Sequence, residues 1–185
     1  GTGHSGYCEL NYMPDPADGS VAAEIAQQFQ LSRQWWAHLA DQGLLDPATF
    51  VHGTPHMDVV FGDHDVAYLR RRFETLRADP LFADLEFSDD PTTIAGWAPL
   101  VMAGRDCQQA VAATRHPGGT DVDFGALTRG LARIITSNGG EVRLGHDAHR
   151  LRQGSDRTWL ISGRHAHSRT RFQLRARHVF VGAGG

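Results

Sequence analysis

An α/β fold is predicted for this chain of 185 residues: part of a parallel-sheet domain of the nucleotide-binding kind, with a β-meander on its back. Three observations carry the expectation. Residues 124–138 form an amphipathic helix that runs through Asn138-Gly139-Gly140 straight into the strand-like "EVRLG" (141–145), the helix-then-strand grammar of a parallel sheet. In "RTRFQLRAR" (169–177), Arg169, Arg171, Gln173, Arg175 and Arg177 alternate with Thr170, Phe172, Leu174 and Ala176. A period of two with one basic and one apolar face is the pattern of a half-buried strand. Finally, Val179-Phe180-Val181 ends in Gly182-Ala183-Gly184-Gly185, a buried-type strand that opens into glycines where backbone approaches a ligand closely.

The elements follow in chain order. "GTGHSG" (1–6) spells G-x-G-x-x-G, yet that fingerprint needs a helix after its third glycine. Tyr7 to Pro14 reads as extended instead. Ser20 is expected to cap a helix with Val21, Ile25, Phe29, Trp36 and Leu39 on one stripe, Trp35 and Trp36 in the core, and Gly43 as the stop. "TPHMDVVFG" (54–62) reads as a strand, and Asp63 opens a second helix with Val66, Leu69, Phe73 and Leu76 inward and Arg70, Arg71 and Arg72 as a solvated flank. Asp90 and Pro91 suit the cap and first residue of a short helix. "AVAAT" (110–114) is expected as a strand running into Arg115. Asp123 caps a third long helix with Phe124, Leu127, Leu131 and Ile135 inward, and three short strand-like runs follow "EVRLG".

Composition bounds the function. At 41% hydrophobic residues the chain suits one substantial globular domain or two small ones. Residues 1–123 carry 7 Arg against 18 Asp and Glu, a net −11, whereas residues 124–185 carry 11 Arg against 3 acids, a net +8. The overall −3 conceals two oppositely charged parts. Such a basic segment is either a surface for an anionic partner or a solvated face. Cys8 and Cys107 have no C-x-x-C partner, so neither a disulfide framework nor a zinc site is expected, and a reducing, cytoplasmic setting is the default. No apolar run approaches the length of a bilayer span. His165 and His167 place two imidazoles on one strand face; without a third ligand, no metal is expected. Few aromatics interleave with the arginines, which argues against nucleic acid.

Four stretches, "GTGHSGYCELNY" (1–12), "PHMDVVFG" (55–62), "PLVMAGRDCQQAVAATR" with "GTDVDFGALTR" (99–115 and 119–129) and "VFVGAGG" (179–185), together with the helix "FQLSRQWWAHL", resemble the malate:quinone oxidoreductases along the whole chain. The resemblance implies an internal portion of a longer FAD enzyme, inactive alone: a partial Rossmann-like FAD-binding domain of the glutathione-reductase and amino-acid-oxidase type, plus an α+β portion of a substrate domain. Residues 1–18 would face the flavin, 19–118 would contribute to the substrate domain, and 119–185 would belong to the FAD domain. The implied cofactor contacts are Gly1, Thr2, Gly3, His4, Ala148 (beside the adenine), Gly182, Ala183 and Gly184.

The implied reaction oxidises (S)-malate to oxaloacetate by hydride transfer to FAD and passes the electrons to a membrane quinone. It requires a base and cations for two carboxylates. His4 is the first candidate for base or flavin-side hydrogen bond, against a histidine in a mobile terminus. His56 either faces the substrate region or is a satisfied structural residue. Arg115 either presents its planar fork to a carboxylate or forms a surface ion pair. Asp121 and Asp123 read as turn and cap rather than as an acid/base pair. The arginine run 169–177 suits anionic lipid on the inner face of the cell membrane, or simple solubility. A related enzyme of another 2-hydroxy acid, such as 2-hydroxyglutarate, and a cofactor-free interaction domain are the alternatives.

Overall fold

A computed structural model describes residues 2–3, 9–106 and 108–182 of the chain, which forms two compact units, 1–134 and 135–185. The strand order of the described residues is antiparallel throughout, in three sheets of three strands.

The first unit opens with the strand β1 (Thr2–Gly3) and the long helix α1 (Ser20–Asp41). Asp18, not Ser20, serves the helix start: its carboxylate accepts the Ser20 N–H at 3.0 Å, since the residue before the first turn is the one whose side chain can reach the orphan amides. The buried positions are Ala22, Ala26 and Trp36. Val21 is 48% exposed and Trp35 49%, because at 100° per residue they fall off the stripe that Ala22, Ala26, Phe29 and Trp36 share. Trp36 meets Phe29 and Phe50 edge-on at 6.3 and 5.3 Å and forms a core with Leu45, Val122 and Leu127.

Two small sheets follow. β2 (Val51–Gly53) and β1 flank β6 (Thr120–Val122), giving the order β1-β6-β2. β3 (His56–Phe61) and β4 (Glu86–Ser88) flank β5 (Val111–His116). In the second sheet, the cross-strand pairs His56 with His116, Asp58 with Thr114 and Val60 with Ala112 share one face; Met57 with Arg115, Val59 with Ala113 and Phe61 with Val111 share the other. Helix α2 (Asp63–Leu76) covers the first face through Leu69, Val66 and Tyr68. The short helices α3 (Pro91–Trp97) and α4 (Pro99–Met102) cover the second through Ile94, Trp97 and Met102. Asp90 caps α3 as expected, accepting the Thr92 and Thr93 amides at 3.2 and 2.9 Å.

The triplet Arg70-Arg71-Arg72 is not uniformly solvated. Arg70 reaches Asp89 at the surface, but Arg72 is fully buried and its guanidinium lies 3.2 Å from the Asp58 carboxylate, which the Thr114 hydroxyl also approaches at 3.3 Å. Arg72 is three residues after Leu69 on the covered face of α2, so a cation is forced inward and draws an acid from the sheet to meet it. Burial pushes the Asp58 carboxyl above its ordinary value; Arg72 and Thr114 oppose the rise and Glu9 adds to it.

Helix α5 (Phe124–Ser137) begins beneath Asp123, whose carboxylate accepts the Ala126 N–H at 2.9 Å. Leu127 is buried, whereas Phe124 and Ile135 stay half exposed on its flanks. Gly139 at φ 81 closes the helix in the left-handed region, its N–H bonded to Thr136 O at 3.1 Å.

The second unit is the expected meander: β7 (His146–Gln153), β8 (Trp159–His165) and β9 (Arg171–Ala176), with a bulge between Ala148 and Arg150. Two expected strands are absent. "EVRLG" and Val179-Phe180-Val181 take no ladder partner among the described residues, and Phe180 is 94% exposed. A strand is defined by its neighbour, and apolar patterning alone does not supply one. The parallel pairing of a Rossmann-like sheet is accordingly not found among the described residues. His167 lies in the turn after β8, off the strand face, while His165 packs on His146 and Phe172 with ring centres 4.2 and 5.9 Å away.

Candidate active-site region

The glycine-rich start of the chain is tied to the rest of its unit through β6. Gly3 pairs with Thr120 and Thr2 with Asp121, while on the other side Gly53 and His52 pair with the same two residues. The Thr120 carbonyl in turn takes a hydrogen bond from His56, with Nε2 3.1 Å away. A carbonyl only accepts, so this bond places the proton on Nε2. His56 is buried and ties β3 to β6.

The loop between β5 and β6 completes the joint. Thr54 N–H bonds to Gly119 O at 2.8 Å, and a Cβ at Gly119 would stand 2.4 Å from Thr54 O and 2.8 Å from His56 N. Only glycine permits backbone to approach this closely. The wall that Gly118, Gly119 and Thr120 present is thus mostly main chain.

That wall lines one side of a cleft of about 230 Å³, opposite Phe29, Gln30 and Arg33 of α1 and beside Asp84 and His116. Arg33 sits at the i+4 position from Phe29 and the i−3 position from Trp36, on the same stripe of α1, with its guanidinium 5.9 Å from the Phe29 ring centre. Among the described residues neither Arg33 nor Asp84 has an ion-pair partner within 4.0 Å. Burial holds the His116 imidazole below its ordinary value; Asp84 and Glu86 oppose the shift, and His56 and Arg33 reinforce it. His116 is neutral near pH 7, leaving Arg33 as the permanent cation of the cleft.

The sequence-derived candidates divide. His56 is bonded to Thr120, which lines this cleft, and does not line it itself. Arg115 is on the opposite face of its sheet, so the two do not address one ligand; its guanidinium lies 3.4 Å from Glu86 and 5.8 Å from the Trp97 ring centre. Ala148 is exposed beside the bulge of β7, and Gly182 is exposed after the meander. Gly1, His4, Ala183 and Gly184 lie outside the described residues, as does the side chain of Thr2. Asp123 caps α5, and Asp121, expected in a turn, lies instead in β6, paired with Thr2 and His52. Arg33 is not among the sequence-derived candidates; its signal is a charged residue on the stripe that Phe29 and Trp36 share.

The comparisons with known proteins give the family. The profile of malate:quinone oxidoreductase (Mqo) matches residues 1–185. The chain is 52% identical to a probable malate:quinone oxidoreductase of Leifsonia xyli subsp. xyli over 190 aligned positions, covering all of this chain and 39% of that protein. It is 47% identical to a probable malate:quinone oxidoreductase of Paenarthrobacter aurescens and 45% to one of Stenotrophomonas maltophilia, covering all of this chain and 38% and 34% of those proteins. The chain belongs to the malate:quinone oxidoreductase family and spans somewhat over a third of the length of these relatives. No described helix is long and apolar enough to cross a membrane.

Proposed function

We propose that the protein containing this chain oxidises (S)-malate to oxaloacetate with FAD as its bound redox group and reduces a membrane quinone to the quinol. Malate gives up two electrons and two protons, and the quinone takes up both. The observation that carries the reading is the family match across every residue of the chain, with the cleft beside β6 as the place where this portion would touch a small acid. His4, in the segment that leads out of β1, is proposed as base or flavin-side hydrogen bond.

The described residues do not form a seat for the FAD diphosphate. Each helix longer than one turn begins beside a carboxylate of its own: Asp18 at α1, Asp63 and Asp65 at α2, Asp90 at α3 and Asp123 at α5. These acids satisfy or neutralise the N-terminal amides and repel a phosphate. The FAD diphosphate is accordingly not assigned to a helix N-terminus among the described residues.

One face of the meander favours contact with an anionic membrane. The register sets Arg150, Arg152, Arg164, Arg171 and Arg175 on a single face, with Asp147 as its one acid. None of the five has an ion-pair partner among the described residues. Clustered, unpaired guanidiniums gain from an anionic surface. The basic surface therefore draws on all three strands, more than the run 169–177.

The reading is tested with the complete protein as purified. A flavin spectrum that bleaches on addition of malate and returns on addition of a quinone is expected. A colourless complete protein, or a flavin that malate leaves oxidised, would overturn it.

A further inference from the structure

We propose that the cleft between α1 and the Gly118–Thr120 wall is a subsite for a 2-hydroxy carboxylate, with the Arg33 guanidinium holding the carboxylate and the Asp84 carboxylate accepting the hydroxyl proton in a hydrogen bond. The inference rests on the malate-oxidising reading and names residues for it.

Three observations lead to it. Arg33 and Asp84 line the same cleft of about 230 Å³ yet do not pair with each other. Opposite charges that face one space without meeting leave room for a bridging molecule. That molecule must offer an anionic acceptor to one and a donor to the other. A 2-hydroxy acid carries both on adjacent carbons, and the planar guanidinium fork matches the two oxygens of a carboxylate.

The second observation is the position of Arg33. It occupies the stripe of α1 between Phe29 and Trp36, whose rings are packed at 6.3 Å. Both rings pack into the core with Phe50, Val122 and Leu127 and so fix the helix on either side of the arginine, whose own side chain is exposed and donates to Gln30 Oε1 at 3.5 Å. Third, Gly118 and Gly119 give the cleft a stretch of bare main chain, and Gly119 is fixed there because a Cβ would meet Thr54 O and His56 on its other side. The cleft is smaller than the ~300–1,000 Å³ of sites for drug-sized ligands and suits a molecule of a few heavy atoms. His116, neutral there, adds a ring nitrogen without a second permanent charge. The site also adjoins Thr120, the pairing partner of Gly3, and so lies next to the segment expected at the redox group.

The test uses the complete protein, with malate as substrate and succinate, which lacks the hydroxyl, as competing ligand. Arg33→Gln is expected to raise KM for malate and the inhibition constant of succinate together, about tenfold or more, the loss expected for a charge-assisted pair; Arg33→Lys should recover part of both. Asp84→Ala is expected to weaken malate severalfold while leaving succinate unchanged or tighter, because it removes an acceptor that only malate uses and a charge that repels both. Parental constants in Arg33→Gln, or an Asp84→Ala variant that weakens both ligands alike, would overturn the proposal. If Arg33→Gln fails to fold, the Asp84→Ala comparison decides alone. If the parent does not oxidise malate, the activity reading fails; thermal stabilisation of parent, Arg33→Gln and Asp84→Ala by malate and succinate then decides the cleft, and stabilisation independent of Arg33 overturns it.

Discussion

His56 Nε2 lies 3.1 Å from the Thr120 carbonyl, a bond that joins the sheet of β3, β5 and β4 to the strand that pairs with Gly3. Replacing His56 by Phe removes the donor from a buried joint. A loss of about 1–3 kcal/mol is expected, read by urea unfolding of the complete protein. His56→Gln, whose amide nitrogen reaches the Nε2 position, should retain most of the stability. Equal losses in both variants would show that ring packing, and not the hydrogen bond, holds the joint.

The Arg72 and Asp58 pair makes a sharper prediction. Arg72→Met leaves a carboxylate 9% exposed without its cation and should cost about 3–5 kcal/mol. Arg72→Met combined with Asp58→Asn should cost distinctly less, since no buried charge remains. A double variant as unstable as the single would contradict the assignment.

Acid should weaken the first unit through His116. Its folded value lies below the ordinary 6.5 because of burial, so between the two values the unfolded chain binds more protons than the folded one. Stability is therefore intact above pH 6.5 and falls as pH drops through and below it. Denaturant midpoints measured from pH 8 to pH 5 should show this decline, and His116→Gln should flatten it. An unchanged slope in the variant would place the acid sensitivity elsewhere.

Much of this architecture was legible in the residues. The ends of α1, α2, α3 and α5 follow from Asp, Pro and Gly placed where orphan amides or a left-handed exit require them, and the meander follows from strict alternation. Arg72 was not legible, because three consecutive arginines look alike until a covering sheet selects one. Trp35 differs from Trp36 only by a 100° rotation. "EVRLG" and Val179-Phe180-Val181 carry strand patterning without a strand to join. At the cleft, Arg33 does not stand out by residue type, although an arginine between Phe29 and Trp36 already breaks the apolar stripe.

The basic face of the meander should be visible in vesicle sedimentation of the complete protein. Binding to phosphatidylglycerol vesicles is expected to exceed binding to phosphatidylcholine vesicles and to fall with salt. Arg150→Gln and Arg171→Gln should each weaken it by about 1 kcal/mol. Equal binding of parent and double variant would assign the arginines to solubility.

The most direct test of the account is the rate of quinone reduction by the complete protein with malate, 2-hydroxyglutarate and lactate in turn. Malate is expected to support turnover far above the other two. Turnover with 2-hydroxyglutarate or lactate but not malate, or with none of the three, would contradict it.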